Sequence, residues 1–180
     1  ISIVDHSEIF AGYDDALPTF NSLSIETMLW RIPGLAEHFL YFNDDVFLTA
    51  PVTRSDFFAG DGPVLRGQWA DHSDLVACGA RRDDASMLNH YNQINAAQMI
   101  GYTADQVFES AHVVHPMQRS VMAQLFDTYR DAFIANASFR FRDAGQFLPQ
   151  SLHNHACLAD GSAAILDTRD YLHVAVGDMD

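Results

Sequence analysis

The sequence predicts an α/β domain with a mixed or mostly parallel sheet and helices on both faces. Two patterns carry that expectation. Runs rich in aromatic and β-branched residues, such as Phe39–Phe42 and Val46–Leu48, read as buried strands. Segments such as 22–32, 85–100 and 120–133 instead repeat apolar residues at helical spacing. Alternation of the two kinds of segment is the signature of a layered α/β domain.

In chain order, Ile1–Val4 reads as a strand, and a Gly- and Asp-rich loop runs on to Asp15. Leu17–Ser22 feeds a helix with Ser22 as N-cap and Ile25, Met28, Leu29 and Ile32 as its apolar face, ended by Pro33-Gly34. Asn21 and Glu26 flank its start, where backbone N–H groups favour an anion. The simpler reading of Glu26 is a first-turn acid, stabilising by a few tenths of a kcal/mol.

Residues 38–49 organise the chain. Their apolar run stops at Asn43-Asp44-Asp45 and resumes at Val46. An unpaired buried carboxylate is costly, so the two acids must meet water, a cation or hydrogen-bond donors. Adjacent carboxylates at a strand end suit a hard divalent cation, Mg²⁺ or Mn²⁺. Asn and Asp also favour tight hairpin turns, and the residues alone leave both readings open.

Further on, Val64–Arg66 reads as a strand and Trp69–Asp84 as an irregular acidic excursion carrying Arg81-Arg82. The helix at 85–100 has a stripe of Met87, Leu88, Tyr91, Ile94 and Met99, with Asn89, Asn92 and Asn95 as a solvated face. His112 and His115 stand three apart before the helix at 120–133, placed to bind a metal, exchange protons or cap that helix. Arg119 sits at the positive end of the helix, a position that asks for an anion. Phe139–Asp143 alternates so that a strand would show Arg140 and Arg142 on one face. A helix is expected over 146–158, with His153 and His155, and short strands over 163–167 and 171–176.

Composition narrows the function. Hydrophobic content of 48% in 180 residues is that of one globular domain over 1–180. A formal charge of −14 excludes a nucleic-acid partner, which needs a basic surface. A phosphate substrate would require a recruited metal or a focused set of arginines. No apolar run approaches the roughly 18 residues of a membrane span. Cys78 and Cys157 are too few for a disulfide scaffold and read as buried thiols of a reducing compartment. The chain opens at Ile1 inside an apparent strand, and the expectation is a piece of a longer chain.

Three segments together, Leu17-Pro-Thr-Phe-Asn-Ser22, Ile32-Pro-Gly-Leu-Ala-Glu37 and Phe39-Leu-Tyr-Phe-Asn-Asp-Asp-Val46, resemble the second conserved region of the Stealth family of sugar-1-phosphate transferases. Ala111–Leu158 is similar to the third region, with its His-x-x-His opening, helix, Arg-Phe-Arg and Leu152-His-Asn-His155 in the family's order. The family's first and last regions are absent. The resemblance implies a nucleotide-sugar-transferase-like fold and transfer of a hexose-1-phosphate from a UDP-sugar to a hydroxyl of an oligo- or polysaccharide acceptor. It implies that Asp44 and Asp45 hold Mg²⁺ or Mn²⁺ or orient the diphosphate, with Asp45 also catalytic. His112 would be the catalytic acid/base or the group next to phosphorus, with His115 beside it, and Arg142 would clamp phosphate. Asn21 and Glu26 would bind the donor or shape the pocket, with Arg119 and Arg140 as further substrate-binding candidates. The setting it implies is the bacterial cytoplasm, in capsule or cell-surface polysaccharide synthesis. A metal-dependent glycosyltransferase and a non-catalytic carbohydrate-binding or assembly module are the rival readings.

Overall fold

The structure is a computed structural model and describes residues 1–79, 84–166 and 170–172. Arg81-Arg82, Asp167 and residues 173–176 of the strand expected over 171–176 lie outside that set, while the strand expected over 163–167 is present at Ala164–Ile165. The α/β class holds, and the sheet is the mixed alternative, divided among the described residues into three small pieces.

The chain starts without a strand. Residues 1–5 pair with no neighbour, and Ile1 and Ile3 are exposed. Asp5 and Glu8 then form a capping box for α1 (His6–Ile9). Asn21, not Ser22, caps α2 (Ser22–Glu26), its side chain accepting from the Leu23 N–H. The expected helix to 32 stops early, and a short 3₁₀ turn over Leu29–Arg31 continues it.

β1 (His38–Tyr41) ends where the acids begin. Val46–Leu48 does not resume as a strand. Phe47 and Leu48 are exposed, and Val46 packs beside Phe57, Phe58 and Val114. β2 (Phe58–Ala59) turns into β3 (Gly62–Leu65). Gly62 is required there, since a Cβ would lie 1.7 Å from the Ser162 carbonyl oxygen. The expected irregular stretch after Trp69 is partly regular, with β4 (Gly67–Ala70) and α3 (Ser73–Cys78). Then come α4 (Leu88–Ile100), β5 (Val107–Ser110) and β6 (His115–Gln118). The single helix expected over 120–133 is two, α5 (Arg119–Thr128) and α6 (Arg130–Ser138). They break at Tyr129, whose hydroxyl donates to the Met99 carbonyl. α7 (Pro149–Ala159) takes Pro149 in its first turn, where the missing N–H has no cost, and β7 (Ala164–Ile165) follows.

β1 pairs antiparallel with β6 and β4 with β5, while β3 joins β2 antiparallel and β7 parallel. α4 and α7 pack together behind these pieces. The main core gathers Met122, Phe126, Phe133 and Leu152. Burying each such side chain is worth about 1.5–3 kcal/mol. Cys157 is buried, but Cys78 at the end of α3 is exposed, and both thiols are free.

Two polar expectations fail for the same reason. Asn92 and Asn95 do not form a solvated face. Asn92 Nδ2 donates to the Asp143 and Gln146 carbonyls, and Asn95 Nδ2 to those of Ala144 and Gln146. Residues 139–143 are not a strand either. They dock on the α2 entrance, where the Phe20 N–H donates to the Arg140 carbonyl and the Thr19 and Ser24 hydroxyls donate to that of Phe139. An irregular segment leaves backbone carbonyls to satisfy, and Asn, Ser and Thr side chains satisfy them.

Candidate active site

Strand register creates the site. Tyr41 at the end of β1 faces His115 at the start of β6. Residues just after 41 therefore lie opposite those just before 115, and Asn43-Asp44-Asp45 meets His112 across the open end. His112 Nε2 lies 2.9 Å from Asp45 Oδ1. A carboxylate only accepts, so Nε2 carries the proton and Nδ1 faces the Asn43 amide at 3.4 Å. The Tyr41 hydroxyl donates to Asn43 Oδ1 and steadies that amide.

A cleft of about 520 Å³ opens over this pair, within the ordinary size of a ligand pocket. Asp44, Asp45, His112, His115, Arg142 and Glu26 all line it. The α4 side adds Asn89, Asn92 and Gln93, and the start of α7 adds Gln150. Glu26 is the last residue of α2, not a first-turn acid. It is buried and accepts from Gln150 Nε2 at 2.8 Å. Arg142 reaches back to donate to the Ser22 hydroxyl at 2.8 Å.

Three expected residues stay outside the lining. Asn21 is buried at 1% exposure, spent on capping α2 and on donating to Gln146 Oε1 and the Phe139 carbonyl. It positions the loop that carries Arg142 and does not face the cleft. Arg119 is exposed on the far end of β6, and the anion its place asked for is Glu37. Glu37 accepts from the Ser120 N–H and hydroxyl; that hydroxyl, with Arg119 close by, holds its carboxyl below the usual range. Arg140 is exposed and does not line the cleft, since 139–143 does not form the strand that would put it on one face with Arg142.

Electrostatics divide the lining. Burial, with His112 and His153 nearby, pushes His115 down to about 4, so its ring is neutral near pH 7. Burial, with the Glu26 carboxylate beside it, raises Tyr41 and keeps its hydroxyl protonated. Among the described lining residues, Glu26, Asp44 and Asp45 oppose the guanidinium of Arg142. An anionic ligand in such a cleft would need a cation to offset these carboxylates. Asp44 and Asp45 are exposed hard-oxygen donors that could hold one. They join no set of three His, Cys, Asp or Glu donors among the described residues, so water and substrate would supply the other ligands, as Mg²⁺ prefers.

Gln93 Nε2 and Gln150 Oε1 are buried without a hydrogen-bond partner in the cleft wall. Such orphaned groups are costly in isolation and are what a polar ligand satisfies. Sequence reasoning missed both, and an amide in a helix carries no signal of its own.

The family model for Stealth protein CR2, conserved region 2, matches residues 1–64, which include β1 and the acid turn. An exopolysaccharide phosphotransferase of Streptomyces coelicolor is 33% identical over 186 residues, covering 97% of this chain and 30% of the relative. The chain belongs to the Stealth family. A Lactiplantibacillus plantarum exopolysaccharide phosphotransferase is 31% identical over 79% of the chain and 49% of its own length. A Streptococcus pneumoniae capsular polysaccharide phosphotransferase is 55% identical over 60 residues, 33% of the chain and 18% of that relative. The chain thus spans half or less of the Stealth relatives it matches. No helix of the described residues is long and apolar enough to cross a membrane.

Proposed function

We propose that this cleft transfers a hexose-1-phosphate, such as GlcNAc-1-phosphate, from a UDP-sugar to a sugar hydroxyl in capsular or cell-surface polysaccharide synthesis in the bacterial cytoplasm. The observation that carries the reading is the convergence of Asp44, Asp45, His112, His115 and Arg142 on one cavity. The names of the relatives support the coarser activity, phosphotransfer into a polysaccharide.

The acceptor oxygen bonds to the β-phosphorus as the bond from that phosphorus to the bridging oxygen breaks. UMP leaves with the bridging electron pair, and the product is a phosphodiester. His112 takes the hydroxyl proton at Nδ1, and Asp45, on Nε2, stabilises the imidazolium that forms. Arg142 pairs with non-bridging phosphate oxygens. A divalent cation on Asp44 and Asp45 would neutralise the pyrophosphate charge. Neutral His115 contributes a hydrogen bond and no charge.

Product analysis after incubation with UDP-GlcNAc, an oligosaccharide acceptor and Mg²⁺ tests the reading. UMP and a ³¹P phosphodiester resonance are expected. Release of UDP would assign a glycosyltransferase. Absence of both products, with no UDP-sugar binding in the presence of Mg²⁺, would leave the non-catalytic module.

A further inference from the structure

We propose that His72, His90 and Glu109 form a second metal site, for a zinc-class divalent ion, that clips the wall of the cleft from behind. The three residues come from distant parts of the chain. His72 precedes α3 and is fixed by its backbone N–H, which donates to the Ala104 carbonyl at 2.7 Å. His90 lies in the first turn of α4, and Glu109 in β5 opposite Gln68 of β4. One donor atom from each lies within 4.8 Å of the others. His90 Nδ1 is 2.7 Å and His72 Nε2 3.9 Å from Glu109 Oε1. Those spacings bracket the roughly 3.3 Å edge of a tetrahedron with zinc-ligand bonds of about 2.0–2.1 Å.

A second observation points to a ligand. His72 Nε2 and His90 Nδ1 are both buried atoms without a hydrogen-bond partner. The close approach of His90 to Glu109 lacks hydrogen-bond alignment, so an ordinary imidazole–carboxylate pair does not account for it. An ion among the three atoms does. Two imidazoles and one carboxylate suit Zn²⁺ and related late first-row ions, not Mg²⁺, which prefers oxygen and retained water. With side chains 13%, 34% and 24% exposed, the site lies near enough to solvent for an ion to enter.

The place explains the use. Asn89 beside His90 and Ser110 beside Glu109 line the main cleft. An ion tying α4 to β5 fixes the separation of those two walls. Gly67 allows the close approach of β4 to this point, since a Cβ would stand 2.3 Å from the Glu109 carbonyl oxygen.

The test uses the chain carrying Cys78→Ser, because the exposed thiol could itself bind zinc. After chelation, Zn²⁺ and Co²⁺ are titrated with calorimetry and visible absorption. Expected are one equivalent of Zn²⁺ retained in excess Mg²⁺, tetrahedral Co²⁺ bands, and a Tm gain of about 5–10 °C at saturation. His90→Ala and Glu109→Gln should each weaken Zn²⁺ binding on the order of 10²-fold, the loss of one ligand. No saturable Zn²⁺ binding, unchanged affinity in both variants, or equal competition by Mg²⁺ overturns the site. Where a variant fails to fold, the Co²⁺ spectrum of the parent decides, and weak octahedral bands or none overturn it. No readout involves turnover, so the outcome is separate from that of the transferase reading.

Discussion

His112 and His153 stand at two ends of one stretch of chain and live in opposite surroundings. The His112 side chain is 46% exposed, beside Asp45, at the rim of a cavity. His153 is fully buried, and its Nε2 accepts the Gln118 N–H at 3.0 Å. His155 repeats the second pattern, with Nε2 accepting from the Phe108 N–H and Nδ1 placed 2.7 Å from the Ser151 carbonyl. Both α7 histidines act as plugs for strand N–H groups that have no partner strand on that side among the described residues. The contrast lies in what each ring nitrogen faces, backbone or the side chains of a cavity rim, and residue type alone does not carry it.

The comparison breaks most visibly under alanine substitution. His112→Ala should cut phosphodiester formation on the order of 10²-fold or more, about 3 kcal/mol of barrier, with Tm nearly unchanged. Steady-state UMP release and a melting curve read the two effects separately. Near-parental turnover would remove His112 from the reaction.

Acid sharpens it next. Burial pushes both His115 and His153 down to about 4, from an ordinary value near 6.5. Between those two values the unfolded chain binds more protons than the folded one. Stability is therefore full above about pH 6.5 and is lost as pH falls toward 4, by about 2 kcal/mol for each histidine at pH 5. Urea midpoints at pH 7.5 and 5 measure it. His153→Gln should remove one histidine's share of that pH dependence, with His115 and His155, which burial also lowers, keeping theirs, while weakening the fold at pH 7.5. Equal slopes in parent and variant would show that His153 is not the proton acceptor.

The acid turn was legible because it breaks a local pattern, whereas His112 and Arg142 were singled out through the family resemblance; the structure brings all of them to one cleft. Two carboxylates interrupt an aromatic run, and a cavity is the physical resolution of that conflict. Asn92 and Asn95 were misread because an amide's role depends on which carbonyls an irregular loop leaves unsatisfied. That loop, 139–146, was read as a strand followed by helix, so its orphan carbonyls were invisible. The fold class came from periodicity. The division into three small sheets did not, since Val46–Leu48 and 139–143 have strand composition without a partner strand. Pairing partners far apart in sequence leave no mark on either segment alone.

Arg119 provides the mildest test of the same principle. It was expected at the substrate because a cation at a helix start needs an anion, and Glu37 already supplies that anion on the protein surface. Arg119→Ala should therefore change stability by no more than about 0.5 kcal/mol, the scale of an exposed charge contact. Turnover should stay within about threefold of the parent, while Arg142→Ala, inside the cleft, should lose on the order of 10²-fold. A loss in Arg119→Ala comparable with that in Arg142→Ala would mean that substrate reaches beyond the cleft, along β6 to the start of α5. The boundary of the site would then have to be redrawn around the Glu37–Ser120 contact.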